Sequence, residues 1–184
     1  VLRTMPESPS APRFLAGYEG GETFKSCVEI ISVDGGPVLE TVVCDAPERT
    51  FTWGSIHFTP DDGAIFFNAN LASDRARTQL LRVDLTAKDR TIVQITEDAA
   101  RNQVGLLDGE LGEGYVAVSD ESGFNNLFVG PLAGGAMTQL TTFEEELDDA
   151  YLLQADGQTH IVAILRRPWE SELMLLGADG VMKH

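Results

Sequence analysis

The stretch NNLFVGPLAGGAMTQLTTFEEE (residues 125–146) nearly repeats TQLLRVDLTAKDRTIVQITEDAA (residues 78–100). Each reads as an apolar run, a turn of small or polar residues, a second run ending in Gln-Leu-Thr or Gln-Ile-Thr, and an acidic tail. Aligned on the first of these runs, Val28, Leu80, Leu127 and Leu173 are equivalent, at separations of 52, 47 and 46 residues. A repeat of this kind is a supersecondary unit that cannot bury its apolar surface alone and must stack on its neighbours. Periods of about 40 to 50 residues with only strand signals inside them belong to four-stranded propeller blades.

The local chemistry agrees with strands. Apolar runs are short, rich in Val, Ile, Leu and Phe, and bounded by Gly, Pro, Asp and Asn. In one unit FTWGSIHF (51–58) is the expected inner strand and AIFFNAN (64–70) the second, with QLLRVDL (79–85) the third and TIVQIT (91–96) the outermost. The turn TPDDG (59–63) joins the first two, Pro presetting φ and Gly relieving it. The next unit reads QVGLL, GYVAVSD, NLFVGPL and MTQLT, with DGELGEG as its first turn. A further unit reads AYLLQ, HIVAILR and ELMLLG and reaches His184 before an outer strand. Ahead of them all stand RFLAGY, CVEIISV and LETVVC, which lack an inner strand. Only TTFEEELDDAY (141–151) has helix-like periodicity, and it serves equally as an acidic connection between blades.

The expected organisation is an all-β, partial β-propeller of about three to three and a half blades. An N-terminal segment covers residues 1–13, and the propeller covers 14–184 as approximate blades 14–50, 51–102, 103–148 and 149–184. Closed propellers have about 4 to 8 blades. Uncovered blade faces and edges are therefore expected to meet the rest of a longer parent or another copy of the chain.

Composition narrows the partners. The chain has 184 residues, 43% of them hydrophobic, enough for a domain with a real core. Against 13 Lys and Arg stand 29 Asp and Glu, a formal net charge of -16 that repels phosphate backbones and excludes nucleic acid as an expected partner. No run of 18 apolar residues and no basic-then-apolar leader occurs, so neither a membrane span nor export is expected, and the expected compartment is the cytoplasm. The two cysteines, Cys27 and Cys44, match no zinc spacing. A two-residue hairpin turn at Gly35-Gly36 would set them opposite one another across a ladder. In a reducing cytoplasm they would be free thiols packed between strands.

Two segments resemble a known blade consensus. WGSIHFTPDDGAIFFNANLASDRARTQLLRVDLTA (53–87) resembles the blades of the propeller in the prolyl oligopeptidase family of serine peptidases: an aromatic first strand, a Ser/Thr-Pro-Asp-Gly turn, an apolar strand, a polar loop and a Leu-Tyr-Val-Asp-Leu-like strand. SDESGFNNLFVGPLAGGAMTQLTTFEEE (119–146) is similar to the same consensus, and the resemblance extends from about residue 14 onward. TolB-type propellers of the periplasm share these motifs. The resemblance implies a parent enzyme in which a propeller, stacked on an α/β-hydrolase domain with a Ser, Asp and His triad, restricts and orients peptide substrates. This sequence departs from the pattern in containing no Gly-x-Ser-x-Gly nucleophile elbow.

The residues themselves offer no catalytic constellation. His57 and His160 fall within expected strands and His184 is terminal, none beside a Ser in a triad context. No His-Glu-x-x-His, Cys-x-x-Cys, phosphate loop or dinucleotide fingerprint is present, and DGELGEG lacks the ligand spacing of a calcium loop. No cofactor, no metal and no catalytic residue is assigned. In a four-stranded meander the second-to-third loops and the inter-blade loops share one face of the disc. That face would gather Asp74, Arg75, Arg77, Phe124, Asn125, Glu144, Glu145, Glu146, Arg166, Arg167, Trp169 and Glu170. Mixed charge with an aromatic suits gripping a peptide or docking a domain. The competing reading is a solvated rim with Trp169 tucked against a neighbouring blade. Resemblance to dipeptidyl-peptidases, whose propeller offers a Glu pair to the substrate amine, singles out Glu144 to Glu146.

Overall fold

The computed structural model describes residues 2–7, 13–18, 27–32, 38–47, 49–59, 61–71, 74–96, 102–107 and 114–183. Among the described residues fifteen strands form four antiparallel sheets, each a meander in chain order. The first sheet holds β1 (Leu2–Glu7), β2 (Arg13–Tyr18), β3 (Cys27–Ser32) and β4 (Val38–Cys44). The second holds β5 (Arg49–Phe58), β6 (Ala64–Leu71), β7 (Asp74–Asp84) and β8 (Ile92–Gln94). The third holds β9 (Asn102–Leu107), β10 (Gly114–Ser119), β11 (Asn126–Pro131) and β12 (Thr138–Gln139). The fourth has three strands, β13 (Glu146–Ala155), β14 (Gln158–Arg166) and β15 (Ser171–Gly177). Among the described residues there is no helix, and none that could cross a membrane. The chain is all-β and a partial propeller.

The chain divides into two compact units, residues 1–94 and 95–184. In the first, Val28, Ile30 and Val43 of the first sheet share a core with Ile65, Phe67 and Leu81 of the second. In the second, Val116, Val118 and Leu127 of the third sheet share a core with Leu147, Ile161 and Leu176 of the fourth. Strands β6 and β10 are buried on both faces, which is why AIFFNANL and GYVAVS read as near-continuous apolar runs rather than alternating ones.

Two details correct the sequence reading, and a third decides between its alternatives. The first sheet does have an inner strand: β1 pairs with β2 from Leu2↔Tyr18 to Glu7↔Phe14, so the expected separate segment 1–13 contains part of the first blade. Its signal is weak because Pro6 lacks an amide donor and the register slips between Thr4 and Glu7. Both are tolerated at a sheet edge. Of the two readings of TTFEEELDDAY, the structure has the connection, which leads into β13 at Glu146. In the turn after β5 the left-handed residue is Asp62, at φ 57°, and not Gly63. At Gly63 a Cβ would stand 3.0 Å from the Asp61 carboxylate, so a side chain there would require that carboxylate to shift. That carboxylate accepts hydrogen bonds from the Thr59 hydroxyl (2.6 Å) and the Gly63 amide (3.0 Å), which hold its pKa below the usual range. The DGELGEG turn, apart from Gly114, and the Gly35-Gly36 turn lie outside the described residues.

The cysteines pair as the hairpin spacing suggests but are not free thiols. Cys27 stands opposite Cys44, their Cα atoms 4.0 Å apart, and the two form a disulfide. The ladder slips between Val28 and Glu29 and again between Ile30 and Ile31, so the simple register holds only at the end far from the turn.

Candidate functional site

In the second unit the expected face is built from three segments distant in sequence. The β10–β11 turn carries Phe124 and Asn125, the connection from β12 to β13 carries Glu144 and Glu145, and the end of β14 with the turn that follows carries Arg166, then Arg167, Trp169 and Glu170. The last turn is short because Arg167 donates its backbone N–H to the Glu170 carbonyl at 2.8 Å, with Pro168 between them. This throws Trp169 to the tip, where it is 96% exposed, so the alternative in which it tucks against a blade is corrected.

Arg167 braces that tip. Its Nε donates to Glu145 at 2.8 Å, and its terminal nitrogens reach Glu170 at 3.2 Å and Glu172 at 2.8 Å. Those hydrogen bonds, led by the one to Glu145, raise the guanidinium pKa further above its already high value. Arg166 pairs with Asp148 at 2.6 Å. Each pair is partly wet and weak alone; three carboxylates on one planar fork fix geometry more than they add stability. Phe124 and Glu144 are exposed beside this network.

Asn125 is corrected from a surface residue to a buried tie. It is 4% exposed, and its amide nitrogen donates to the Glu146 carboxylate and, at 3.2 Å, to the Leu147 carbonyl. Glu146 is thereby engaged with Asn125 in the protein itself. Asp74, Arg75 and Arg77 are not loop residues: β7 begins at Asp74, which pairs with Leu71. They belong to the first unit, and their side chains lie outside the described residues. Sequence reasoning missed Asp148 and Glu172, acids near the starts of β13 and β15 whose pairing with Arg166 and Arg167 is set by the fold.

Neither described histidine is placed for catalysis. His57 lies in β5, in one cross-strand row with Phe66 and Arg82, and its Nε2 is buried without a hydrogen-bond partner. Burial lowers its pKa from 6.5 to about 4. The Arg82 guanidinium lies 5.9 Å from the centroid of the Phe66 ring in the same row. The unfolded chain therefore takes up a proton near pH 6.5 and the folded chain only near pH 4. Stability from this group is complete above the upper value and falls between them as pH falls, by at most about 1.4 kcal/mol per pH unit. Urea unfolding at several pH values is expected to show this slope, and His57→Gln is expected to flatten it; an equal slope in the variant would assign the dependence elsewhere. His160 Nδ1 is also buried without a partner. Among the described residues no three His, Cys, Asp or Glu side chains gather as a metal site.

An arrangement of an exposed aromatic, arginines braced by carboxylates and the exposed Glu144 can bind and orient a ligand. It offers no nucleophile with a base beside it. No family model and no curated protein sequence matches the chain. Solved structures do. TolB from Acinetobacter baumannii matches 100% of the chain at 17% identity and a TM-score of 0.74, the match covering 43% of TolB. A puromycin hydrolase matches 98% of the chain at 19% identity and 0.69, over 30% of its own length. Prolyl oligopeptidase B from Galerina marginata, bound to a 35mer hydrolysis and macrocyclization substrate, matches 99% at 12% identity and 0.66, over 26% of its length. At such identities the likeness is one of fold, and the chain spans less than half of each of these proteins.

Proposed function

We propose that the chain is the non-catalytic propeller portion of a prolyl oligopeptidase-like serine peptidase, restricting and orienting peptide substrates for an α/β-hydrolase domain. The observation that carries this reading is Trp169, held fully exposed on a turn braced by Arg167 and three carboxylates. Exposed aromatics next to arginine are the residues that dominate recognition surfaces. Full exposure of an indole has no rationale in the stability of the unit itself. The absence of Gly-x-Ser-x-Gly from the sequence leaves catalysis to another domain. Titration with short proline-containing peptides is expected to quench tryptophan emission, and Trp169→Ala to abolish the change while the melting curve stays in place. Binding that survives this substitution would remove the reading.

The same reading predicts that the pure chain hydrolyses neither aminoacyl-nitroanilides nor simple esters. Turnover blocked by a serine-directed covalent inhibitor would contradict it.

A second reading is a stand-alone TolB-like binding or scaffold propeller with no enzyme attached. The Cys27–Cys44 disulfide favours it, because such bonds persist in oxidising compartments such as the periplasm, whereas the cytoplasmic placement belongs with the first reading. A peptide titration without effect, with the disulfide found intact in protein taken directly from cells, would favour this alternative.

A further inference from the structure

An exposed aromatic is informative when the backbone beneath it is fixed, because an anchor that is already ordered loses little freedom when a ligand arrives. Phe124 meets that condition. It is 47% exposed in the β10–β11 turn, and the chain is tied on both sides of it. Before it, Gly123 takes a left-handed φ of 97° and donates its amide to the Asp120 carbonyl at 2.9 Å. No atom lies within 4 Å of where a Cβ would stand, so glycine is needed there for its backbone and not for lack of space. The Phe124 carbonyl itself accepts from the Ser122 hydroxyl and from the Asn126 side-chain amide, each at 3.3 Å. Ser122 is fixed in turn by the side chains of Asn126 and Gln139, which donate to its hydroxyl at 3.2 Å each. Behind Phe124, the buried Asn125 is tied to Glu146 and to the Leu147 carbonyl at the start of β13. The third sheet carries this turn and shares its core with the fourth, so Phe124 is exposed with the sheet that follows it in place.

The same hydrogen bonds join Phe124 to the turn of Trp169. Asn125 holds Glu146, the adjacent Glu145 holds Arg167, and Arg167 braces the tip that carries the indole. Two aromatics are thereby presented along one strip of chain whose course is set by side-chain hydrogen bonds. The strip is acidic. Arg166 and Arg167 are already paired with carboxylates, whereas Asp120, Glu121 and Glu144 have no cation paired with them among the described residues. A ligand side chain arriving at Phe124 is therefore favoured when apolar and repelled when anionic.

We infer that Phe124 is a specificity-determining residue of the peptide site, receiving an apolar side chain of the ligand, with Ser122 as its positioning residue. The inference rests on the peptide reading proposed above and adds which side chain the peptide must carry. Three proline-containing peptides that differ only in having Leu, Ala or Asp beside the proline are titrated against the chain, with tryptophan emission as the readout. The Leu peptide is expected to bind about 10-fold more tightly than the Ala peptide, the scale of one apolar side chain moved out of water, and the Asp peptide more weakly than either. Phe124→Ala is expected to remove the preference, so that the Leu and Ala peptides bind alike, with an unchanged melting curve. Ser122→Ala is expected to weaken the Leu peptide roughly 3-fold, the scale of one hydrogen bond, and to change nothing further in the Phe124→Ala background. Ser122→Thr keeps the hydroxyl and should restore the wild-type value. A Leu preference that persists in Phe124→Ala, or none in the wild type, would overturn the inference, while quenching that depends on Trp169 would keep the peptide reading. An Asp peptide bound as well as the Leu peptide would overturn it too. Equal losses from Ser122→Ala with and without Phe124 would overturn the positioning role. Quenching by none of the three peptides would remove the peptide reading and this inference together.

Discussion

Dithiothreitol is expected to weaken the first unit by about 3 kcal/mol, the loop-closure value for a bridge between residues separated by 17 positions. The bond joins two strands of one hairpin, so its effect lies in the unfolded chain, which it prevents from exploring conformations in which β3 and β4 part. Cys27 is buried, so replacing one cysteine alone would leave a thiol in the packed interior, and the informative variant is Cys27→Ser with Cys44→Ser together. In urea unfolding, reductant should shift the midpoint of the wild type and leave that of the double variant in place. Hydrogen exchange should report faster opening of β3 and β4 in the reduced protein. A wild-type midpoint indifferent to reductant would mean that the bridge contributes nothing.

The same hairpin shows how far sequence spacing carries. Pairing of Cys27 with Cys44 was legible from an assumed tight turn, although two register slips lie between the cysteines and that turn. Their oxidation was not legible, because spacing says where thiols meet and redox surroundings say whether they join. The period was readable because every blade must solve the same burial problem, and Val28, Leu80 and Leu127 record the solution. β1 was not, because its Pro6 and register slip erase the alternation that announces a strand. At the candidate site Trp169 and the Arg167 turn were visible as residue types, but the partners of Arg167 come from positions 145, 170 and 172, a combination fixed only by tertiary packing. Asn125 looked like a surface asparagine for the same reason. Its partners Glu146 and Leu147 lie 21 and 22 residues further along the chain.

Replacing Asn126 is expected to have an effect as large as losing the disulfide, and for a reason that accounts for the repeated Gln-Leu-Thr element. Asn126 is 2% exposed and fully used. Its two amide hydrogens are shared among the Phe143 carbonyl (3.1 Å), the Phe124 carbonyl (3.3 Å) and the Ser122 hydroxyl (3.2 Å). Its oxygen accepts from the Phe143 amide (2.7 Å) and the Thr141 hydroxyl (2.9 Å). Thr141, the last residue of Gln-Leu-Thr, in turn accepts the Leu127 amide at 2.9 Å, and Leu140 donates its amide to the Leu127 carbonyl at 2.7 Å. The outermost strand is only two residues long, so this side-chain latch, and not a ladder, carries the chain from one sheet to the next. The earlier Thr96, in the same place in its repeat, is likewise buried. Asn126→Ala would leave several of these buried groups without partners, at about 1 to 3 kcal/mol for a group left dry, so a loss of roughly 3 kcal/mol is expected after partial access by water. Thr141→Ala should cost clearly less in the Asn126→Ala background than in the wild type, because the two side chains serve one network. Additive losses would show that Asn126 and Thr141 act independently, and a loss below about 1 kcal/mol for Asn126→Ala would show that the ladder alone suffices.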